Sequence, residues 1–63
     1  MSITGIDFKM VGEDGNAFAI LGRARQALRS NGYGNLINEF TDKCVSGNYD
    51  NLLAVCAEYF DVY

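Results

Sequence analysis

The feature that most constrains the fold is a stretch of helical periodicity over residues 16–30. Apolar side chains recur there at steps of three and four residues, which places them on one face of an α-helix. These are Ala17, Ile20, Leu21, Ala24, Ala27 and Leu28. Asn16 is the candidate N-cap, with Asp14 as the alternative, and Gly32 suits the left-handed position after a last turn. The chain must therefore bury one side of this helix against other elements.

Two further helices are predicted after the first. Residues 34–45 form the second, with Tyr33 just before it, and its apolar face carries Leu36, Ile37, Phe40 and Cys44. Residues 49–58 form the third, capped by Asn48, and a helical stripe runs through Tyr49, Leu52, Leu53, Cys56 and Phe60. Because Tyr49 lies on that stripe, we expect its ring in the core.

The N-terminal residues 3–12 show the period of two that indicates a half-buried strand, since Ile6, Phe8 and Met10 alternate with Asp7 and Lys9. A turn over residues 12–15 would lead into the first helix. The strand needs a partner, because a lone strand leaves its backbone groups unpaired. Residues 59–63 could extend the third helix or form a strand that pairs with the first. Pairing across a dimer, or no pairing, are the alternatives.

The sequence therefore predicts one small α+β domain over residues 1–63. Its N-terminal strand is followed by three short helices and by a possible C-terminal strand. No segment is long enough to cross a membrane, and the first residues lack the basic start and apolar core of a signal peptide. The expected location is the cytoplasm.

The charge distribution is uneven, with a formal net charge of −3. Residues 1–32 hold four basic and three acidic side chains, whereas residues 33–63 hold one basic and five acidic ones. Nucleic-acid binding usually needs a broad basic surface, and three arginines on one helix are a small one. The acidic residues predict either a solvated face or a surface that pairs with a basic partner; these are Asp42, Asp50, Glu58 and Asp61.

Few residues in the chain are suited to catalysis. Histidine is absent, which removes the commonest general base and metal ligand. Cys44 and Cys56 fall on apolar helix faces, so we expect buried thiols rather than a disulfide, a metal site or a redox centre. Residues 12–16 precede a helix, as anion-binding loops do, but Glu13 and Asp14 would repel phosphate. We therefore expect neither an enzyme nor a bound cofactor or metal.

One side stripe of the first helix predicts an interface. Phe18, Gly22, Arg25 and Arg29 flank the core face, and glycine within a helix costs about 1 kcal/mol relative to alanine. A close backbone approach, from this chain or from a partner, would account for that glycine. At the other end of the chain, Tyr59 and Tyr63, together with Val55, could widen the third helix into a contact patch. The candidate contact residues are Phe18, Gly22, Arg25, Arg29, Tyr59 and Tyr63.

Three segments resemble small uncharacterised proteins of bacteria and their phages. They are residues 14–22 (DGNAFAILG), residues 27–29 (ALR) and residues 46–53 (SGNYDNLL), followed by Cys56. The resemblance covers about residues 10–62 and implies a bacterial or phage setting, but no activity, cofactor or catalytic residue.

The function expected from these patterns is a small non-enzymatic protein that binds another protein, with self-association as a homodimer one form of that binding. The alternative is a nucleic-acid-associated module using Arg23, Arg25 and Arg29. A structural subunit is the third possibility.

Overall fold

A computed structural model describes residues 2–10 and 15–63 of the chain. They form strand β1 (Ile6–Phe8), helix α1 (Ala17–Ser30), a 3-10 turn (Gly34–Leu36), helices α2 (Ile37–Val45) and α3 (Tyr49–Tyr59), and strand β2 (Phe60–Val62). This order confirms the predicted α+β class. Most of the predicted turn over residues 12–15, and Asp14 as the alternative cap, lie outside the described residues.

The two strands pair with each other within one chain. They run parallel, with Ile6 opposite Phe60 and Phe8 opposite Val62. Parallel neighbours need a crossover of about a dozen residues or more, and the three helices provide it. The Met10 amide extends the pairing by donating to the Tyr63 carbonyl at 2.6 Å. Internal pairing is therefore the alternative that holds, and residues 60–62 are strand rather than a continuation of the helix.

Helix α1 begins and ends where the sequence predicts. The Asn16 side chain accepts hydrogen bonds from the Phe18 amide at 2.8 Å and the Ala19 amide at 3.3 Å. Gly32 has a φ of 84°, the left-handed conformation that glycine adopts at little cost. The buried residues of the helix are Ile20, Ala24 and Leu28. Assigning Ala17 to the core was wrong, because the first turn borders an open groove.

Four aromatic rings form the centre of the core. Phe8 stacks on Phe60 with ring centroids 4.9 Å apart, and Phe40 meets the rings of Tyr59 and Phe60 edge-on. Offset and edge-on contacts of this kind add to the stabilisation from burial alone. The Tyr59 hydroxyl donates to Glu39 Oε2 at 2.5 Å, so its polar atom is satisfied. The core therefore joins both strands to α2 and to the end of α3.

The inward face of α3 differs from the predicted one. Leu52, Val55, Cys56 and Tyr59 point inward, whereas Tyr49 is 43% exposed. Three predictions are thus wrong: Tyr49 is not a core residue, and neither Val55 nor Tyr59 contributes to a surface patch. The physical reason is that the last turn of α3 leads directly into β2, which packs against β1 and covers that end of the helix.

The turn between α2 and α3 is held closed by one side chain. The side-chain Nδ2 of Asn51 donates a hydrogen bond to the Lys43 carbonyl at 2.8 Å, which satisfies an acceptor in the last turn of α2. A Cβ at Gly47 would lie 2.8 Å from the Asn51 Cβ, so only glycine leaves room for this arrangement. Asn48 caps α3, since its side-chain Oδ1 accepts a hydrogen bond from the Asn51 backbone N–H at 3.0 Å. The turn fixes Val45 and Tyr49 on either side of it.

Candidate protein-binding groove

Exposed apolar side chains gather where α1 begins and α2 ends. Phe18 is 85% exposed, Val45 is 65% exposed and Tyr49 is 43% exposed. All three line one groove with a volume of about 230 Å³. The floor of the groove includes Leu52 and Cys44, which are buried core residues. The groove is therefore an apolar recess that opens from the core to solvent.

The local structure explains why these side chains meet. Phe18 lies in the first turn of α1 and is directed away from the buried face. Leu21, three residues later, is half-buried and packs against the core. Val45 is the last residue of α2 and Tyr49 the first of α3, so the tight turn between these helices brings both to the opposite wall. The start of α1 and the start of α3 are neighbours, since a Cβ at Gly15 would lie 3.4 Å from the Tyr49 hydroxyl.

The predicted stripe on α1 continues from the groove along the helix. Phe18, Gly22, Arg25 and Arg29 are all exposed, and their spacing keeps them on one side of α1. Apart from its two chain neighbours and the helix backbone within four residues, no atom among residues 2–10 and 15–63 lies within 4 Å of the position that a Cβ at Gly22 would take. Packing within this part of the molecule therefore does not account for the glycine.

The C-terminal contact residues do not join the groove. Tyr63 is 60% exposed at the end of β2, but it is not among the residues that line the groove. Tyr59 is fully buried and is therefore not available as a surface contact. Helical periodicity did not identify Val45 as a contact residue, and it predicted a core position for Tyr49. The sequence did indicate that Val45 is exposed. It directly follows Cys44 and therefore lies beside the apolar face of α2 rather than on it.

The arginines of α1 differ in their surroundings. Arg23 donates from Nη1 to the Lys9 carbonyl at 3.0 Å, and its guanidinium carbon lies 4.7 Å from the centre of the Phe8 ring. This geometry is a cation–π contact that covers the β1 side of the core. Arg25 and Arg29 are exposed on the stripe instead. The basic surface of α1 is thus divided between two sides of the helix.

Acidic side chains on α2 and α3 are mostly solvent-exposed. Glu58 pairs with Lys43, with Oε1 and Nζ 3.0 Å apart. Asp42 on α2 and Asp50 in the first turn of α3 are exposed. Asp50 directly follows Tyr49 in α3, but it is not among the residues that line the groove.

Both cysteines are buried free thiols, as predicted. Burial raises the pKa of Cys44 to about 12 and the pKa of Cys56 to about 11. The thiolate is the nucleophilic form, so both side chains are weak nucleophiles at neutral pH. Cys44 therefore contributes an apolar surface to the groove floor.

Within residues 2–10 and 15–63, no three His, Cys, Asp or Glu side chains are grouped as a metal site would require. In the same residues, no helix combines the length and apolar character needed to span a membrane. Neither a protein-family model, nor a curated protein, nor a solved structure matches the chain. The geometry of the groove is consequently the basis for inferring a function, and that geometry suits the binding of an apolar side chain.

Proposed function

We propose that this chain is a small non-enzymatic protein-interaction module of bacterial or phage origin, and that its groove binds an apolar side chain of another polypeptide. The observation that carries the proposal is the exposure of Phe18 and Val45 beside a groove that reaches the core. Grouped exposed apolar residues usually mark an interaction site. The proposed origin is supported by the DGNAFAILG and SGNYDNLL segments.

The size of the groove fits one large side chain. A cavity of roughly 150 Å³ is enough for a benzene ring, and this groove has about 230 Å³. Burying an aromatic or large aliphatic side chain contributes about 1.5–3 kcal/mol. A single anchor residue held in a pocket is also a common source of affinity in protein interfaces.

Binding has more support than catalysis at this site. The chain contains no histidine, and burial keeps the pKa of the Cys44 thiol at about 12. Nucleic-acid binding has less support than protein binding, because Arg23 lies over Phe8 and bonds to the Lys9 carbonyl. Arg25 and Arg29 would be a small basic surface for that role.

The proposal can be tested with random peptides displayed on phage and selected against the purified protein. We expect the selected peptides to share an aromatic or large aliphatic anchor residue. Val45→Glu should weaken their binding by at least about tenfold, because a charged side chain would then border the apolar recess. Affinities would be measured by fluorescence anisotropy on proteins whose folding is checked by circular dichroism.

Val62→Glu is the matched control, because Val62 is an exposed valine in β2 that does not line the groove. This variant should bind the selected peptides as the original protein does. The proposal is wrong if no anchor-bearing peptides are selected, or if the two variants bind the selected peptides equally well.

A further inference from the structure

We infer that Arg23 blocks a strand edge through which this chain would otherwise pair with a second copy of itself. The edge is the outer side of β1, the side that faces away from β2. The inference goes beyond the proposed function, because it does not involve the groove. Three observations carry it. They are the direction of the backbone groups of β1, the contacts of Arg23, and the alternating charges along the strand.

Backbone hydrogen bonds show which side of β1 is paired. The Phe8 carbonyl accepts from the Tyr63 amide at 3.1 Å, and the Met10 amide donates to the Tyr63 carbonyl at 2.6 Å. Because the backbone groups of successive strand residues point to opposite edges, those of Asp7 and Lys9 point away from β2. The sheet has two strands among the residues that the structure describes, so the outer side of β1 is an edge of that sheet.

Arg23 reaches this edge from α1. Its Nη1 donates to the Lys9 carbonyl at 3.0 Å, so it occupies an acceptor that an additional strand would need. The guanidinium carbon lies 4.7 Å from the centre of the Phe8 ring, and this contact holds the group beside the strand. Natural sheets commonly protect open edges with charged side chains. Arg23 is positioned to protect β1 in this way.

The edge that Arg23 covers is complementary to a copy of itself. When two β1 strands run antiparallel with Phe8 opposite Phe8 of the partner subunit, Asp7 lies opposite Lys9 of the partner subunit. This alignment brings the outward backbone groups of both strands together, as in the hydrogen-bonded pairs of an antiparallel ladder. Asp7 and Lys9 are exposed, and opposite charges on facing strand residues stabilise a pair. A twofold axis repeats each of these contacts.

A purely stabilising role for Arg23 would have a different consequence. Loss of the side chain would then lower the free energy of unfolding without creating a pairing surface. If Arg23 protects the edge, its loss also frees the Lys9 carbonyl for a second chain. Association and stability must therefore be measured separately.

Sedimentation equilibrium of the full chain with Arg23→Ala tests the inference. We expect this variant to dimerise with a dissociation constant at least about tenfold lower than that of the original protein. Arg25→Ala is the matched control, because it removes an exposed arginine from another side of the same helix. It should associate like the original protein.

Phe8→Leu controls for a loss of stability. It removes the ring beneath the guanidinium and leaves a smaller side chain in the core, so the free energy of unfolding should fall. Arg23 remains present to bond to the Lys9 carbonyl, so this variant should pair no more strongly than the original protein. Amide hydrogen exchange locates the contact. In Arg23→Ala, the amides of Asp7 and Lys9 should become more protected as the protein concentration rises.

A charge exchange in the Arg23→Ala background tests the antiparallel alignment. Asp7→Lys should weaken the dimer, because it places like charges on facing residues. It should not destabilise the single chain, since Asp7 also lies opposite Asp61 in β2. Adding Lys9→Asp should restore most of the lost affinity, because the facing charges are opposite again. General repulsion between copies would give the reverse order, since Asp7→Lys lowers the net negative charge and Lys9→Asp raises it.

The inference is overturned if Arg23→Ala associates no more strongly than the original protein, or if it associates without protecting the Asp7 and Lys9 amides. It is also overturned if Phe8→Leu associates as strongly as Arg23→Ala, because instability would then be the cause. A charge exchange that restores no affinity would contradict it as well.

Discussion

At the scale of single residues, the two tyrosines at the ends of α3 show where helical periodicity stops being informative. Spacing placed Tyr49 on the apolar stripe and left Tyr59 for the surface, and the structure reverses both positions. Tyr59 is buried because β2 follows it at once and brings Phe60 against Phe40. Tyr49 is exposed because its turn of α3 lies beyond the core. Neither outcome depends on local sequence; both depend on which elements cover each end of the helix.

The buried thiols predict how stability changes at alkaline pH. Burial raises the pKa of Cys44 to about 12 and of Cys56 to about 11, above the ordinary value of 9.0. Above pH 9 the unfolded chain therefore loses protons that the folded chain keeps. The free energy of unfolding should be steady below that pH and fall as the pH rises from 9 towards 11. The slope should approach about 1.4 kcal/mol per pH unit for each thiol.

Urea unfolding at a series of pH values measures this effect. The variant Cys44→Ala/Cys56→Ala should be less stable at neutral pH, because it leaves small cavities, but its stability should decline less between pH 9 and 11. Some decline should remain, since burial also raises the pKa of Tyr59. An equal decline in the variant and the original protein would show that the thiols are not the cause.

At the scale of elements, local rules predicted the helices well and the sheet poorly. Asn16, Asn48 and Gly32 mark helix ends by side-chain capping or backbone conformation, which are local properties. The pairing of β1 with β2 stayed open among alternatives because it depends on how three helices fold the chain back. The groove was partly predictable: Phe18 was identified from its place on α1, whereas Val45 reaches the site through the α2–α3 turn.

Gly22→Ala tests whether this glycine has a structural role within the fold. Nothing among the described residues blocks a methyl group there, so the isolated fold should gain about 1 kcal/mol of stability from higher helix propensity. Urea unfolding of the variant and of the original protein measures this gain, and an unchanged or lower stability would show that Gly22 has a structural role that the described residues do not reveal.

Ala19→Gly is the reciprocal control, because Ala19 lies on α1 away from the stripe. It should lower the stability of the fold by about 1 kcal/mol, because glycine has a lower helix propensity than alanine.

At the scale of the whole molecule, the fold joins the two ends of a short chain. The parallel strands fix residues 6–8 against residues 60–62, so the helices between them form one closed unit with a shared aromatic core. A domain of 63 residues buries a limited fraction of its surface, and association can add to its stability.

The central claim is that an apolar side chain of a second polypeptide enters the groove, and isotope-filtered NMR tests it most directly. The ¹³C-labelled protein would be mixed with an unlabelled anchor-bearing peptide obtained by phage display. The account predicts intermolecular NOEs between the anchor side chain of the peptide and the Val45 methyl groups. Intermolecular NOEs confined to residues outside the groove, or an absence of any NOE between the peptide and the protein, would contradict it.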